Sequence, residues 1–567
     1  MCGFNAVINF NGDLKKLDSA FEYIKYRGQI HGKYSINNSH FYATRLPRSG
    51  NETRKQPIVT ENSVLLFNGE IYNIEVLCKK YGIQYSPKNI DSEYFILLIE
   101  IHGIKIISEL IGEFSFVIYF IKKQKIVFAR DRLGTKPLFW KLSAKSLYIS
   151  SSAKAINFAC NETQINHEVV YDYLFYGVSK SATIYSDINN SESGNIYIFD
   201  KFLNKKKYNY CIEANPSEDN LEISINNSVN TRLNKKTYIA YSGGVDSELI
   251  RKYAGHGIPL YSLETPYEKI DRLTNANIIR PEWRDIDILF EKYTDVAETP
   301  ITSLSGIALL HMNQIAKSDG YENVISGEGA DEIFYGYNYY YYRSKHHPLL
   351  HKRHLSRQFL ENLFEIRSDY KMSSLIDVFS SNMPSVWAEF DLKYRLPNHL
   401  FRLNSDIPSL LAGIEARVPF LDLFDYYNPK YMNYPEPKHI LKLLLKEYKI
   451  KNKIGLYYPA SIMPNFWFVE RLTSMKNIDI EDKLKISSNK IFDKLIHFFS
   501  NYHNLSDTNK EEYYYHISRW TLGIISLANM NNSNKQNHQS SILKKSYTEL
   551  IFDNAAIVKI NSIEYGL

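Results

Sequence analysis

Cysteine is scarce: four residues in 567, namely Cys2, Cys78, Cys160 and Cys211, at no paired spacing. The lack of any Cys-x-x-Cys pair argues against a thiolate zinc site, and so few thiols suit a reducing cytosol. Long apolar runs are missing too. No stretch reaches the 18 or so residues a membrane helix needs, so no membrane span is expected. The start, Met1 to Phe10, carries no basic stretch, so no secretory leader is read and a cytoplasmic location is the expectation. Charge of one sign is also lacking: 68 basic side chains face 62 acidic ones, a net charge of +6. The densest basic runs, Lys205 to Lys207 and Lys442 to Lys453, are short and read as solvated faces, so no nucleic-acid partner is expected. What remains is a chain with 44% hydrophobic residues, enough to bury cores in two to four domains. It has no internal repeat.

The first 200 residues read as short strands with turns. Val64 to Phe67 ends in Asn68-Gly69, a turn pair. Phe114 to Phe120 and Lys125 to Ala129 predict a hairpin, and Ser146 to Ser151 another strand. Helices are expected over Asp91 to His102 and His167 to Tyr176. The pattern predicts an antiparallel sandwich with a few helices. Near residue 215 the character changes. Pro216 to Arg232 predicts an amphipathic helix, Thr237 to Tyr241 a strand, Ser247 to Ala254 a helix and Pro259 to Leu263 a second strand. Strand, helix, strand at this spacing is a βαβ unit and hence a parallel sheet. Asn323 to Ile325 is a later strand, the chain after residue 340 is mostly helical, and Asn529 to Ser540 reads as a loose linker.

Two constellations carry chemistry. Removal of Met1 would make Cys2 the first residue, and its own α-amine could then take the thiol proton, as in N-terminal nucleophile enzymes. Asn68 and Gly69 offer a side-chain amide and a backbone N–H for a tetrahedral oxyanion. Arg45 can pair bidentately with an α-carboxylate. Glu70 and Asp91 can bind an α-ammonium, although Asp91 also suits a helix N-cap. In the second constellation, Ser242-Gly243-Gly244-Val245-Asp246-Ser247 lies between a strand and a helix. Its glycines admit close backbone approach and the helix N-terminus favours phosphate. The serines add donors and Asp246 can hold Mg²⁺. No Gly-Lys-Ser/Thr follows, so it is not a Walker A loop.

Several runs together resemble the glutamine-hydrolysing asparagine synthetase family of class II amidotransferases. They are Met1-Cys2-Gly3, Tyr26-Arg27-Gly28, Arg45-Leu46, Gln56-Pro57, Asn68 to Asn73, Asp91-Ser92-Glu93 and Ala129 to Gly134 followed by Lys136-Pro137-Leu138. The serine–glycine loop resembles that of ATP pyrophosphatases. Ser326-Gly327-Glu328-Gly329-Ala330-Asp331-Glu332 and Gly413 to Asp422 match the synthetases again. The resemblance implies an antiparallel amidotransferase domain (1–205), an α/β parallel-sheet ATP-pyrophosphatase domain (215–528) and a tail (529–567). It implies Cys2 as nucleophile, Asn68 and Gly69 as oxyanion hole, and Arg45, Glu70 and Asp91 as glutamine clamps. Ser242, Gly243, Gly244, Asp246, Ser247 and Gly327 would bind ATP, with Asp246 and Asp331 on Mg²⁺ and Glu328 as the base that deprotonates ammonia. Lys453 is the match for a lysine stabilising the α-phosphate, with Lys451 competing, and Asp406 stands at a substrate-binding position. One departure is Arg27-Gly28-Gln29-Ile30, where the family has Arg-Gly-Pro-Asp. Another is Ile407, which replaces an Arg.

The implied reaction is glutamine hydrolysis, adenylation of a carboxylate by ATP, and amide formation with the ammonia. Aspartate is the acceptor by resemblance. Yet Thr299 to Gly306, where the family often carries an Arg, has none, which points to another carboxylate such as a sugar uronate or a biosynthetic intermediate. A glutamine-independent lactam-forming ligase and an inactive scaffold are the other readings, and the intact Cys2 argues against both. The expected partners are small molecules, and a homodimer is left open.

Overall fold

The computed structural model describes residues 2–46, 55–143, 145–160, 164–211, 218–265, 275–341, 383–445, 458–475, 488–501 and 510–532, with positions 375, 378, 381 and 478 besides. Alternation of apolar side chains builds the first unit. In the strand Cys2–Ile8, Phe4, Ala6 and Ile8 point into one core while Val7 joins the other. Two six-stranded sheets result. One runs in the spatial order Asn189–Asn190, Phe139–Ser143, Ser146–Ser150, Cys2–Ile8, Ser39–Arg45, Ile30–Ile36. The other runs Lys205–Asn209, Asn195–Phe199, Lys125–Arg130, Gly112–Phe120, Ser63–Ile71, Ile58–Val59. Every pairing in them is antiparallel. Their inner faces meet through Phe4, Phe41, Leu66, Val117 and Phe128. Helices Leu14–Lys25 and Ala153–Cys160 cover one outer face, and Ile74–Lys80 and Asp91–His102 the other. The unit is therefore a four-layered sandwich, as the strand pattern predicts.

One expectation changes. Asn68-Gly69 is not a hairpin turn, because the strand runs straight through it from Ser63 to Ile71. Gly69 holds φ at +133°, and a Cβ there would sit 1.8 Å from the Glu113 carbonyl oxygen of the neighbouring strand. Here glycine serves a close backbone approach within a sheet rather than a reversal.

The second unit is a five-stranded, wholly parallel sheet in the order Asn277–Ile279, Leu260–Leu263, Thr237–Ala240, Asn323–Ile325, Glu415–Arg417. Tyr238, Val324 and Ala416 face one core while Ile239 and Ile325 face the other. Both faces are thus covered, as parallel sheets require. The helix read over 216–232 is Leu221–Thr231 after a short turn Glu218–Asn220, and residues 212–217 lie outside the described residues. A wide, π-type helix Asp391–Asp406 carries Pro397 in its interior and leads into Ile407–Ala412. The C-terminal helix Lys510–Asn532 extends past the point where a linker was read, and 533–567 lie outside the described residues. Among the described residues no helix is long and apolar enough to cross a membrane.

Candidate active sites

The first site is built at the start of the first strand. Cys2 lies opposite Arg45 in the sheet register. Its backbone nitrogen donates to Asn68 Oδ1 at 2.9 Å. Asn68 is fully buried, and its Nδ2 has no partner among the described residues. With the acceptor end of the amide engaged by Cys2, the donor end is left for a ligand. That is what an oxyanion donor requires, since an orphaned buried N–H costs free energy until something accepts from it. Burial pushes the Cys2 thiol pKa up, while a backbone bond from Leu46 and the Arg45 charge oppose it. Asp91 accepts from Ile71 N and Ser92 N, each at 2.8 Å. The N-cap position itself belongs to Ile90. Burial pushes the Asp91 carboxyl up to about 7, with Glu70 adding to the rise and Arg45 opposing it. Cys2, Arg45, Asn68, Gly69, Glu70 and Asp91 therefore form one neighbourhood.

The second site sits at the C-terminal ends of two adjacent parallel strands. From Thr237–Ala240 the chain turns through Gly243, at φ +75°, into the helix Val245–Ala254, whose N-cap is Gly244. Ser247 Oγ bonds Ser242 N at 3.2 Å and the Gly244 carbonyl at 3.1 Å, so the loop is shaped in advance. From Asn323–Ile325 a second loop brings Gly327 against Asp246, where a Cβ would lie 2.5 Å from Asp246 Cβ. Asp331 follows at the start of a short helix.

Lys438 joins the two loops, and sequence reasoning missed it. Its Nζ lies 2.6 Å from Asp246 Oδ2 and 2.6 Å from Asp331 Oδ1. Those two carboxylates hold the Lys438 ammonium well above the usual lysine range, overcoming the opposite effect of burial. Burial pushes Asp246 up to about 6, the Lys438 charge opposes this, and Asp331 adds to it. Asp246 Oδ1 is buried without a partner among the described residues. Two converging carboxylates with a spare buried oxygen fit a hard dication completed by phosphate oxygens and water. Glu328 is pushed up to about 8 by burial and by Glu332, and its Oε2 also has no partner among the described residues. Lys453 and Lys451 lie outside the described residues.

Between the sites runs a boundary of buried ions. Arg27 and Asp406, each 2% exposed, form twin bonds of 3.0 and 2.9 Å, and Arg27 Nε donates to the Cys2 carbonyl at 2.9 Å. The Asp406 carboxylate is thus committed to the amidotransferase side, which is a different place from the substrate contact expected of it. Gln29 leaves this geometry intact, since Gly28 keeps the close approach to Arg45 and the chain enters the next strand at Ile30. Lys136 Nζ lies 3.0 Å from Glu415, whose carboxyl is drawn down to about 2 against the effect of burial, with Lys136 the leading opposing charge. Arg417 grips Glu70 through Nε and Nη2, both at 2.9 Å. Arg27, Lys136, Glu415 and Arg417 all stand in runs that mark the resemblance, but only folding shows which partner each faces.

Residues 1–210 match the glutamine amidotransferase domain family and residues 274–424 the asparagine synthase family, together more than half of the chain. The chain belongs to the glutamine-hydrolysing asparagine synthetase family. A putative asparagine synthetase of Methanocaldococcus jannaschii is 27% identical over 59% of this chain and 76% of its own length. An Arabidopsis thaliana asparagine synthetase is 25% identical over 91% of this chain and 86% of its own. The amidase chry2 of Gibberella zeae, also 25% identical, is covered over only 60% of its length by 60% of this chain. In synthetase terms, the antiparallel sandwich is the amidotransferase half and the parallel sheet carries the ligase half.

Proposed function

We propose that this synthetase-family chain hydrolyses glutamine at Cys2, adenylates a carboxylate with ATP at the Ser242–Ser247 loop, and joins ammonia to the acyl group. The Cys2 thiolate attacks the glutamine carboxamide carbon. The developing oxyanion takes the free Asn68 Nδ2–H, ammonia leaves, and water releases glutamate from the thioester. Arg45 receives the α-carboxylate of glutamine, and Glu70 and Asp91 its ammonium. In the other half, an oxygen of the acceptor carboxylate attacks the α-phosphorus of ATP and pyrophosphate departs. Ammonia then attacks the acyl carbon, Glu328 takes one of its protons, and AMP leaves. Asp246 and Asp331 are the residues that would hold Mg²⁺, which offsets phosphate charge when bound. Lys438 supports both carboxylates.

One observation carries the coupled reading. The edge strand Glu415–Arg417 touches both halves, with its main chain on the Ser326 loop and its side chains on Lys136 and Glu70. Aspartate is the acceptor this reading favours, from the asparagine synthetase relatives. A second reading, a different carboxylate, is favoured by the Thr299–Gly306 stretch. It lacks Arg, and the nearby Arg402 is bound to Glu298 at 3.0 Å. Carboxylate-dependent ATP/pyrophosphate exchange decides between them. Exchange with aspartate alone supports the first, and exchange only with other acids sinks it. Cys2→Ala is expected to abolish glutamine-dependent synthesis and leave ammonia-dependent synthesis. Glutamate release by that variant would overturn the nucleophile assignment.

A further inference from the structure

We infer that the glutamine site is completed from the other domain: Arg417 is a positioning residue that fixes the Glu70 clamp. The inference rests on the glutaminase reading above. Arg417 stands on the edge strand Glu415–Arg417 of the parallel sheet, while Glu70 belongs to the sandwich. All three of its guanidinium nitrogens are occupied. Nε and Nη2 each reach a Glu70 oxygen at 2.9 Å, and Nη1 donates to the Arg232 carbonyl at 2.6 Å. The Arg232 side chain is fully buried and is itself tied to Asp422 at 2.6 and 2.8 Å and to Glu113 at 3.1 Å. The fork is therefore anchored at its far end and cannot follow Glu70 if Glu70 swings.

The chemistry explains why such an anchor is needed. A bidentate guanidinium uses one lone pair on each carboxylate oxygen and fixes the plane of the group, leaving the remaining lone pairs for an ammonium. Glu70 and Asp91 are two carboxylates in one buried neighbourhood, and Glu70 raises the Asp91 carboxyl. Without Arg417, the Glu70 carboxylate would lose the fork that fixes its plane, and its oxygens would no longer be held for the α-ammonium of glutamine. Its main chain has a second task, since its carbonyl accepts from Ser326 N at 3.1 Å, at the root of the loop that carries Glu328. One residue thus holds the glutamine clamp with its side chain and the ammonia-receiving loop with its backbone.

The test is steady-state glutaminase kinetics on the full chain, read as glutamate release. In Arg417→Met the KM for glutamine is expected to rise about tenfold or more while kcat stays within about threefold, the signature of lost uniform binding. Arg417→Lys, which keeps the charge and protects the fold, is expected to recover about half of that rise on a logarithmic scale. If Arg417 acts through Glu70, the double variant Glu70→Gln/Arg417→Met binds glutamine no worse than Glu70→Gln alone. A KM within twofold of wild type in Arg417→Met, or additive losses in the double variant, overturns the inference. A wild-type chain that releases no glutamate overturns the glutaminase reading and this inference with it, and so marks a different failure from a normal KM in the variant.

Discussion

Asp406→Asn separates two roles for one carboxylate. The substitution is nearly isosteric, so it opens no cavity, but it takes the negative charge from a pair in which both side chains are 2% exposed. The Arg27 guanidinium is then buried without a counter-charge, a loss of roughly 3–5 kcal/mol when one partner of a buried pair is removed. Because Arg27 Nε also holds the Cys2 carbonyl, the damage reaches Cys2. Urea unfolding followed by fluorescence, with the rate of Cys2 alkylation in native buffer as a local probe, measures both effects. The midpoint should fall and alkylation should quicken. Removing both charges with Arg27→Met/Asp406→Leu should restore most of the stability, since an apolar pair of similar volume has no ion to strand. The reasoning is refuted if Asp406→Asn costs less than about 1 kcal/mol, the scale of an exposed ion pair, and instead raises the KM for the acceptor. Asp406 would then be a substrate ligand, as the family resemblance suggests.

Three further outcomes are expected. Lys438→Met should lower carboxylate-dependent ATP/pyrophosphate exchange by about 100-fold, the scale of losing a preorganised charge, while glutaminase persists; exchange within threefold of wild type would reduce Lys438 to a structural tie. Glu328→Gln should keep that exchange but lose ammonia-dependent amide formation by about 100-fold or more, and equal loss of both would count against a base that acts only after adenylation. Asp91 must be ionised to hold an ammonium, and burial raises its carboxyl to about 7, so the KM for glutamine should fall as pH rises from 6 to 8. Asp91→Asn should flatten that dependence, and an unchanged slope would assign the titration elsewhere. The same upward shift means that whatever this carboxyl contributes to stability is present below the ordinary aspartate range and lost as pH rises towards 7.

Much of the fold is written in local patterns. The β-rich runs Phe114 to Phe120 and Lys125 to Ala129 and the strand–glycine–helix order around Ser242 depend on neighbours in sequence, so sandwich and parallel sheet are both legible. Asn68-Gly69 misleads because the same dipeptide serves a turn and a close strand approach, and only the Glu113 carbonyl opposite decides which. Candidate site residues within one loop, such as Asp246 and Glu328, are visible by type and position. Lys438 is not, because its value lies in bridging two loops, and it does so from a left-handed backbone at φ +55° that nothing about a lysine announces. Asp406 illustrates a different gap. The family resemblance gives it a substrate-binding position, and nothing in the sequence shows that Arg27, 379 positions away, bonds to it.

The boundary between the halves is where sequence says least and chemistry demands most. One apolar cluster joins Val169, Tyr173, Leu174 and Ile184 of the first unit to the core of the second. At the crossing from one unit to the other stand Arg27–Asp406, Lys136–Glu415, Arg232–Glu113 and Arg417–Glu70. An apolar seam of the same area would hold at least as well, since desolvating ions costs about as much as pairing them returns. What ion pairs add is direction: the twin hydrogen bonds of Arg27–Asp406 and Arg417–Glu70 each accept one orientation of one partner, and so fix the register of the halves. The proposed reaction, which would pass a small neutral product from Asn68 to Glu328, needs that register more than it needs stability. A seam of this kind should therefore tolerate paired apolar replacements for folding while losing the tie between glutamine consumed and amide formed. The ratio of glutamate released to AMP released, measured in Arg27→Met/Asp406→Leu, tests this. A ratio equal to that of wild type would mean that the ions serve stability alone.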